Sequence, residues 1–411
     1  MSKINRTKDC ERKGGRRSAS AKAVLTALAT LALAAAPHSA SADARSQAKR
    51  MYDRLTGTPP SPALLDTLEK KITQDGWSLT DTAMYIVDPS QAHSSDFYRV
   101  TLKNFATPWT NRDRNVFAPL NDYTATVIGM VRDDKDFRGL LSDDILYVGA
   151  AGSYSPTSNA MYEDLESTSA DLRLKSVLAE TTQSSVTGIP ANATAGIITS
   201  RAAAQAFFIA GTNRAMFRFT MLNHLCRDME QILDTTRPPD RIRQDVSRSP
   251  GGDSSVFLNN CIGCHDVMDS MAQAFAYYNY DETAGRLVYT PGQVQPKYLI
   301  NSDNFKPGYV TPDDAWENRM RLPGQNTSLG WEGQDDQVRG GNGAKSLGQE
   351  LAHSRAFAQC QVEKVFRNVC FRSPNTGDQT AVKNMTDEFI SSSNGNMKRV
   401  FAETAAYCAG N

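Results

Sequence analysis

The stretch CIGCHDVMDSMAQAFAYYNYDE, residues 261–282, opens with two cysteines three positions apart and a histidine directly after the second. On a helix that spacing places Cys261 and Cys264 one turn apart on one face. Two thiols so arranged can each reach a vinyl group on the same porphyrin edge, while the imidazole of His265 comes under the iron. The pattern is therefore the one that covalent haem c attachment needs, with Cys261 and Cys264 as attachment points and His265 as proximal axial ligand. With 7 cysteines and 5 histidines in 411 residues, chance produces such a CxxCH on the order of once in a thousand sequences of this kind. A thioredoxin-like CxxC would follow a strand in a βαβ unit, and no such unit is visible around it. A structural zinc site would want a second CxxC or an HxxxH, and the other cysteines stand alone.

Downstream the pattern continues as helix through Val267, Met268, Met271 and on to Tyr278. Phe275 and Tyr278 are expected to pack on the porphyrin edge, with plain core packing as the alternative. The distal ligand must come from the opposite face of the porphyrin. Met268 and Met271 share the helix of His265 and are poorly placed for that role. Met320 lies in an irregular segment about 50 residues on, able to wrap a haem, and is the leading candidate for a distal iron ligand; His224, His353 and His93 are the others.

Working outward, Ser249-Pro250-Gly251-Gly252-Asp253 is a loop that delivers the chain to the motif. Before it, Thr199–Leu233 reads as two helices separated near Gly211-Thr212-Asn213, halted by Pro238-Pro239. Ser61-Pro62 is an N-cap followed by proline at the first helical position, and Leu64, Leu65, Leu68 and Ile72 recur at helical spacing. A second helix follows Pro119 with Tyr123, Val127 and Val131 on one stripe and ends at Asp133-Asp134-Lys135. Residues 149–197 are rich in Ser, Thr, Gly, Ala and Asn and read as a partly structured connection. Beyond the motif, Leu287-Val288-Tyr289 suggests a short strand. Residues 296–344 look irregular apart from a turn of helix at Asp313–Met320. Helices at Ser346–Phe371, Gln379–Ile390 and Met397–Ala409 close the chain.

The expected fold is thus mainly α with little β: a helical N-terminal region plus a cytochrome-c-like helical haem module. The expected organisation is an N-terminal helical module at 43–148, a loop-rich connection at 149–197, a helical pair at 198–250, a haem c module at 251–345 and a helical module at 346–411. Arg132-Asp133-Asp134 and Ser142-Asp143-Asp144 could attract a cation, but such clusters are more often solvated charge. No nucleophilic triad or carboxylate pair is legible.

Residues 1–42 read as an export signal. Seven basic residues from Lys3 to Arg17 precede an Ala- and Leu-rich run from Ala23 to Ala36, broken by Pro37, with Ala40-Ser41-Ala42 as the cleavage site. The expected location is the periplasm, reached by the general secretory route, with cleavage near Ala42 and no membrane span in the mature chain. Processing removes 8 of the 45 basic and 2 of the 45 acidic residues, leaving a net charge of about −6. An acidic surface argues against nucleic acid and favours docking to a basic redox protein. An oxidising compartment permits disulfides among Cys226, Cys360, Cys370 and Cys408. Three connectivities are open, and Cys360 with Cys408 is the favoured pair.

Several segments together resemble a family of bacterial haem-c proteins of consecutive helical modules. They are PLNDYTATVIGMVRDD (119–134), AGIITSRAAAQAF (195–207), NRAMFRFTMLNHLC (213–226), RPP (237–239), CIGCHDVMDSMAQAFAYYNYDE (261–282) and GAKSLGQELAHSRAFAQCQVEKVFRNVC (343–370). The resemblance implies one covalent haem c and electron transfer, and carries over only to Cys261, Cys264 and His265. Three functional classes are open: an electron-transfer subunit or carrier that serves a redox partner protein, a haem enzyme or gas sensor with an open distal site, or an interaction protein in which haem is mainly structural.

Overall fold

Side-chain caps set the helix starts. In this computed structural model, which describes residues 43–322, 329–331 and 339–410, Asp43 accepts a hydrogen bond from the Ser46 N–H and opens α1 (Ala44–Thr56), which ends at Gly57 with φ of 75°. Ser61 caps α2 (Pro62–Thr73) and Ser78 caps α3 (Leu79–Val87). Asn121 caps α4 (Asp122–Arg132), every residue of which is buried. There follow α5 (Arg201–Phe207), α6 (Arg214–Thr220), α7 (Ile262–Ala272), α8 (Gly343–Ala352), α9 (Arg355–Cys370), α10 (Gln379–Ser391) and α11 (Met397–Gly410), with an eight-residue helix at Ala160–Ser167 and short helical turns besides. The chain is mainly α, 57% helix against 8% strand. Its strands among the described residues form three antiparallel pairs: β1 (Leu146–Gly149) with β2 (Leu178–Thr181), β3 (Tyr278–Asp281) with β4 (Arg286–Tyr289), and β5 (Ala315–Asn318) with β6 (Arg339–Asn342). Residues 1–42, where the export signal is expected, lie outside the described residues.

One hydrophobic core joins residues from Ala48 to Ala409. The C-terminal α11 packs on α1, α3 and α9, so the two ends of the described chain share an interior. At its centre α4 lies on β1. A Cβ on Gly129 would sit 2.0 Å from the Tyr147 ring, so only glycine allows this approach. The buried Asp122 carboxylate accepts from the N–H groups of Arg201 (2.6 Å) and Ala202 (3.0 Å) at the positive end of α5. The two carboxylate clusters weighed as cation sites are engaged internally: Asp133 pairs with buried Arg132, Asp134 with Lys398, and Asp144 with Ser184.

Four expectations need correction. The helix carrying the CxxCH ends at Ala272, and Tyr278 belongs to β3. The Asn213 amide donates 2.8 Å hydrogen bonds to the carbonyls of both Phe275 and Tyr278, drawing them out of helical pairing. Phe275 and Tyr278 are therefore core residues: both pack on Phe208, and the Tyr278 hydroxyl donates to the Ala193 carbonyl at 2.6 Å.

The turn of helix expected at Asp313–Met320 is instead β5 followed by a 3-10 turn, Arg319–Arg321. Gly340 lets β6 approach; a Cβ there would meet the Trp316 carbonyl at 2.7 Å. The helix expected over Ser346–Phe371 is two helices. The Ser354 side chain accepts from the Phe357 N–H at 3.2 Å and starts α9 afresh.

The favoured disulfide is also corrected: the pairs are Cys226–Cys360 and Cys370–Cys408, with Cα–Cα distances of 5.3 and 5.8 Å. Cys360 and Cys370 are ten residues apart on α9, about 15 Å along its axis. The last turns of α11 reach the far end of α9, not its middle.

Candidate functional site

The Asp253 side chain accepts from the Ser255 N–H and starts a helical turn, which passes through one wide π turn at Phe257–Cys261 into α7. Such turns insert an extra residue and re-aim side chains, often at functional positions. Within α7 every residue is buried except Cys264 and His265, and Cys261, just ahead of it, is partly exposed as well. The three residues singled out by the sequence are thus the ones through which this helix meets solvent. Both thiols are free. Gly263 lies under Leu233 and Thr235, where a Cβ would stand 3.1–3.2 Å from their side chains. That contact seats the start of α7 against the preceding loop.

His265 has a side-chain exposure of 21%, and its Nδ1 lies 3.1 Å from Asp269 Oδ1 one turn along. Asp269 is wholly enclosed. It accepts from Arg214 Nε at 2.6 Å and Nη2 at 2.8 Å, and from the Arg243 backbone N–H at 3.1 Å. Arg214 also forks onto Asp245, with Nη2 2.8 Å from Oδ1. Burial by itself pushes the Asp269 carboxyl up, but the Arg214 charge and its hydrogen bonds, with His265, hold it well below the usual carboxylate range. An ionised Asp269 has no proton to donate, so Nδ1 of His265 is the donor to it and Nε2 is the nitrogen turned away from that bond. Among the described residues Nε2 makes no hydrogen bond. A ring oriented by a carboxylate on one nitrogen, with the other open, is the arrangement of a metal-binding histidine.

Cys264 Sγ stands 3.6 Å from the Met229 carbonyl, and burial, then the charges of Glu230, Asp266 and Asp228, push its thiol up against the pull of Arg218. That is the opposite of the lowered thiol a disulfide-exchange nucleophile needs. Asp266, next to His265, is wholly buried; burial and the Asp234 charge push it up to about 7 against the pull of the neighbouring Val267 backbone N–H and of Arg237. Around the thiols the surface is apolar. Leu258, one turn before Cys261, is 56% exposed and Leu233 is 44% exposed. The charged Glu230 and the half-exposed Arg218 flank them.

These features fit a covalently held haem c: two accessible thiols one turn apart, an imidazole with Nε2 open, and uncovered apolar side chains for the macrocycle to lie against. Zinc would need further ligands, and among the described residues no group of three or more His, Cys, Asp or Glu side chains is placed to hold a metal ion.

The distal candidates are dispersed. Met320 sits in the turn Arg319–Arg321, which packs against α7, and its side chain is wholly buried in the main core. His224 is enclosed by Trp109, Tyr123 and Phe357, with Nε2 2.7 Å from the Tyr123 hydroxyl. His93 bonds the Tyr85 carbonyl, and His353 bonds the Gln349 carbonyl of its own helix. The Asp269–Arg214 partnership escaped sequence reading because 55 positions separate its members; the spacing of His265 and Asp269 on one helix face was the available signal.

No protein-family model, curated protein or solved structure matches the chain. No helix of the described residues is long and apolar enough to cross a membrane.

Proposed function

We propose that the chain is an exported single-haem c-type cytochrome. In this reading Cys261 and Cys264 form the two thioether links, His265 is the proximal ligand, and the protein passes single electrons to a partner. The observation that carries it is that Cys264 and His265 are the two residues of α7 that reach solvent, with Cys261 just ahead of them on the same accessible side. A haem bound there supplies one-electron chemistry at its iron. The residues do the rest: Asp269 fixes the His265 ring and raises the basicity of Nε2, and Arg214 keeps Asp269 ionised. The exposed Leu233 and Leu258 give the macrocycle an apolar surface beside the attachment point. The location consistent with this reading is the periplasm, where haem is attached after export.

A second reading, a haem protein with an open distal site, is favoured by one observation. His93, His224 and His353 all hold other partners, and Met320 is packed in the core. Spectra separate the two. A sharp low-spin α-band in the reduced protein, unchanged by carbon monoxide, supports electron transfer; a high-spin spectrum that shifts with carbon monoxide supports the open site. If Met320 is the distal ligand, Met320→Ala changes the spectrum, and an unaltered spectrum removes it from that role.

A further inference from the structure

A cavity of about 580 Å³ opens between the 3-10 turn Thr107–Thr110, the loop after it and the exposed side of α9. Its volume lies within the range of small-molecule sites. Its chemistry is one-sided. Arg114, Lys364 and Arg367 line it together with Phe105, Pro108 and Trp109, and no carboxylate does. The contrast with the cavity beside Trp77 is plain, since Asp81, Asp88 and Asp134 line that one.

The three basic side chains have little carboxylate to pair with. Arg114 is exposed and holds φ of 52°; its backbone N–H donates to the Asn111 carbonyl, and its guanidinium has no ionic or hydrogen-bonding partner among the described residues. Arg367 meets one carboxylate, Glu363 on its own helix, at 3.9 Å, the outer limit of an ion pair, and its Nη2 lies 3.8 Å from the uncharged Cys226 Sγ. Lys364 donates to the Asn223 carbonyl, and its Nζ lies 3.5 Å from the centre of the Trp109 ring. Burial, then the charges of Arg114 and Arg367, push its ammonium well below the usual lysine range. In a mature chain of net charge about −6, three basic side chains converge here on one open cavity, where a bound anion offsets their mutual repulsion. Asn104, Gln231 and Asn368 add amide donors at the margin, and the Cys226–Cys360 bridge braces one side.

We infer that this cavity is a binding site for a small organic anion, one carrying carboxylate or phosphate groups on an apolar body. The anionic end lies among Arg114, Lys364 and Arg367, and Phe105, Pro108 and Leu222 cover the carbon portion. The site does not depend on the haem reading, since none of its residues belongs to the CxxCH helix.

Calorimetric titration of the mature protein with phthalate and with phenyl phosphate tests it, with sodium chloride held constant. Saturable binding of either probe tighter than about 1 mM is expected. Phthalate alone binding assigns a carboxylate ligand, and phenyl phosphate alone a phosphate ester. Arg114→Ala, on an exposed loop, and Lys364→Met, each checked for a parent-like unfolding transition, are expected to weaken binding about tenfold or more. Absence of saturable binding by both probes overturns the proposal, as does undiminished binding by Arg114→Ala, which would put the anion elsewhere.

Discussion

Asp269 Oδ1 lies 3.1 Å from Nδ1 of His265, and the same carboxylate is gripped by Arg214 through two nitrogens. The imidazole therefore shares its proton with a full negative charge; in the proposed haem protein this makes Nε2 a stronger donor to iron and favours the oxidised metal. Asp269→Asn keeps the shape and removes the charge. Redox titration should show the reduced form favoured about tenfold more than in the parent, about 59 mV for one electron. An unchanged midpoint would show that the Asp269 charge does not reach the iron.

The bridge between Cys226 and Cys360 spans 134 positions of chain. Closing so long a loop restricts the unfolded ensemble strongly. The double replacement Cys226→Ser, Cys360→Ser should lower stability by about 3–5 kcal/mol in denaturant titrations. A midpoint equal to that of the parent would mean the pair is not bonded in the native protein.

At Gly129 an added methyl group would collide with the Tyr147 ring. Gly129→Ala should destabilise the fold by about 1–3 kcal/mol despite alanine's better helix propensity. A stabilised variant would place β1 farther from α4 than the structure does.

Lys297 donates to the Phe208 carbonyl (2.6 Å) and to Asn279 Oδ1 (2.7 Å), and burial pushes its ammonium down to about 7. In the unfolded chain it titrates near 10.4. Between those values the unfolded state binds the proton and the folded state does not, so this group's contribution makes stability rise with pH over that window. The unfavourable effect is fully present below about pH 7 and gone above about pH 10. The slope is at most about 1.4 kcal/mol per pH unit, and less here because the side chain is partly solvated. Unfolding curves of the parent and Lys297→Met, compared across that window, should converge or cross as pH rises; a constant difference would contradict the assignment.

The sequence made legible what local rules control. The thiol–thiol–imidazole motif, the cap at Ser61 with Pro62, and the break at Gly211–Asn213 depend on neighbours a few positions away, and the mainly α class followed from them. What long-range contacts decide was not legible. Asn213 ends the CxxCH helix region by capturing two carbonyls more than 60 positions downstream. The residues of β5 pair with a strand that begins 24 positions further on, so their local pattern read as helix. The disulfide pairing depended on where α11 docks, and the anchoring of Asp269 on an arginine in another helix. The cations around Trp109 come from segments about 250 positions apart and were not singled out at all.

The most direct test is the mass and pyridine haemochrome spectrum of the mature protein, made in cells with an active cytochrome c maturation system. The account expects one haem retained through denaturation, and its covalent retention lost in Cys261→Ser, Cys264→Ser. A colourless protein with the mass of bare polypeptide would contradict it.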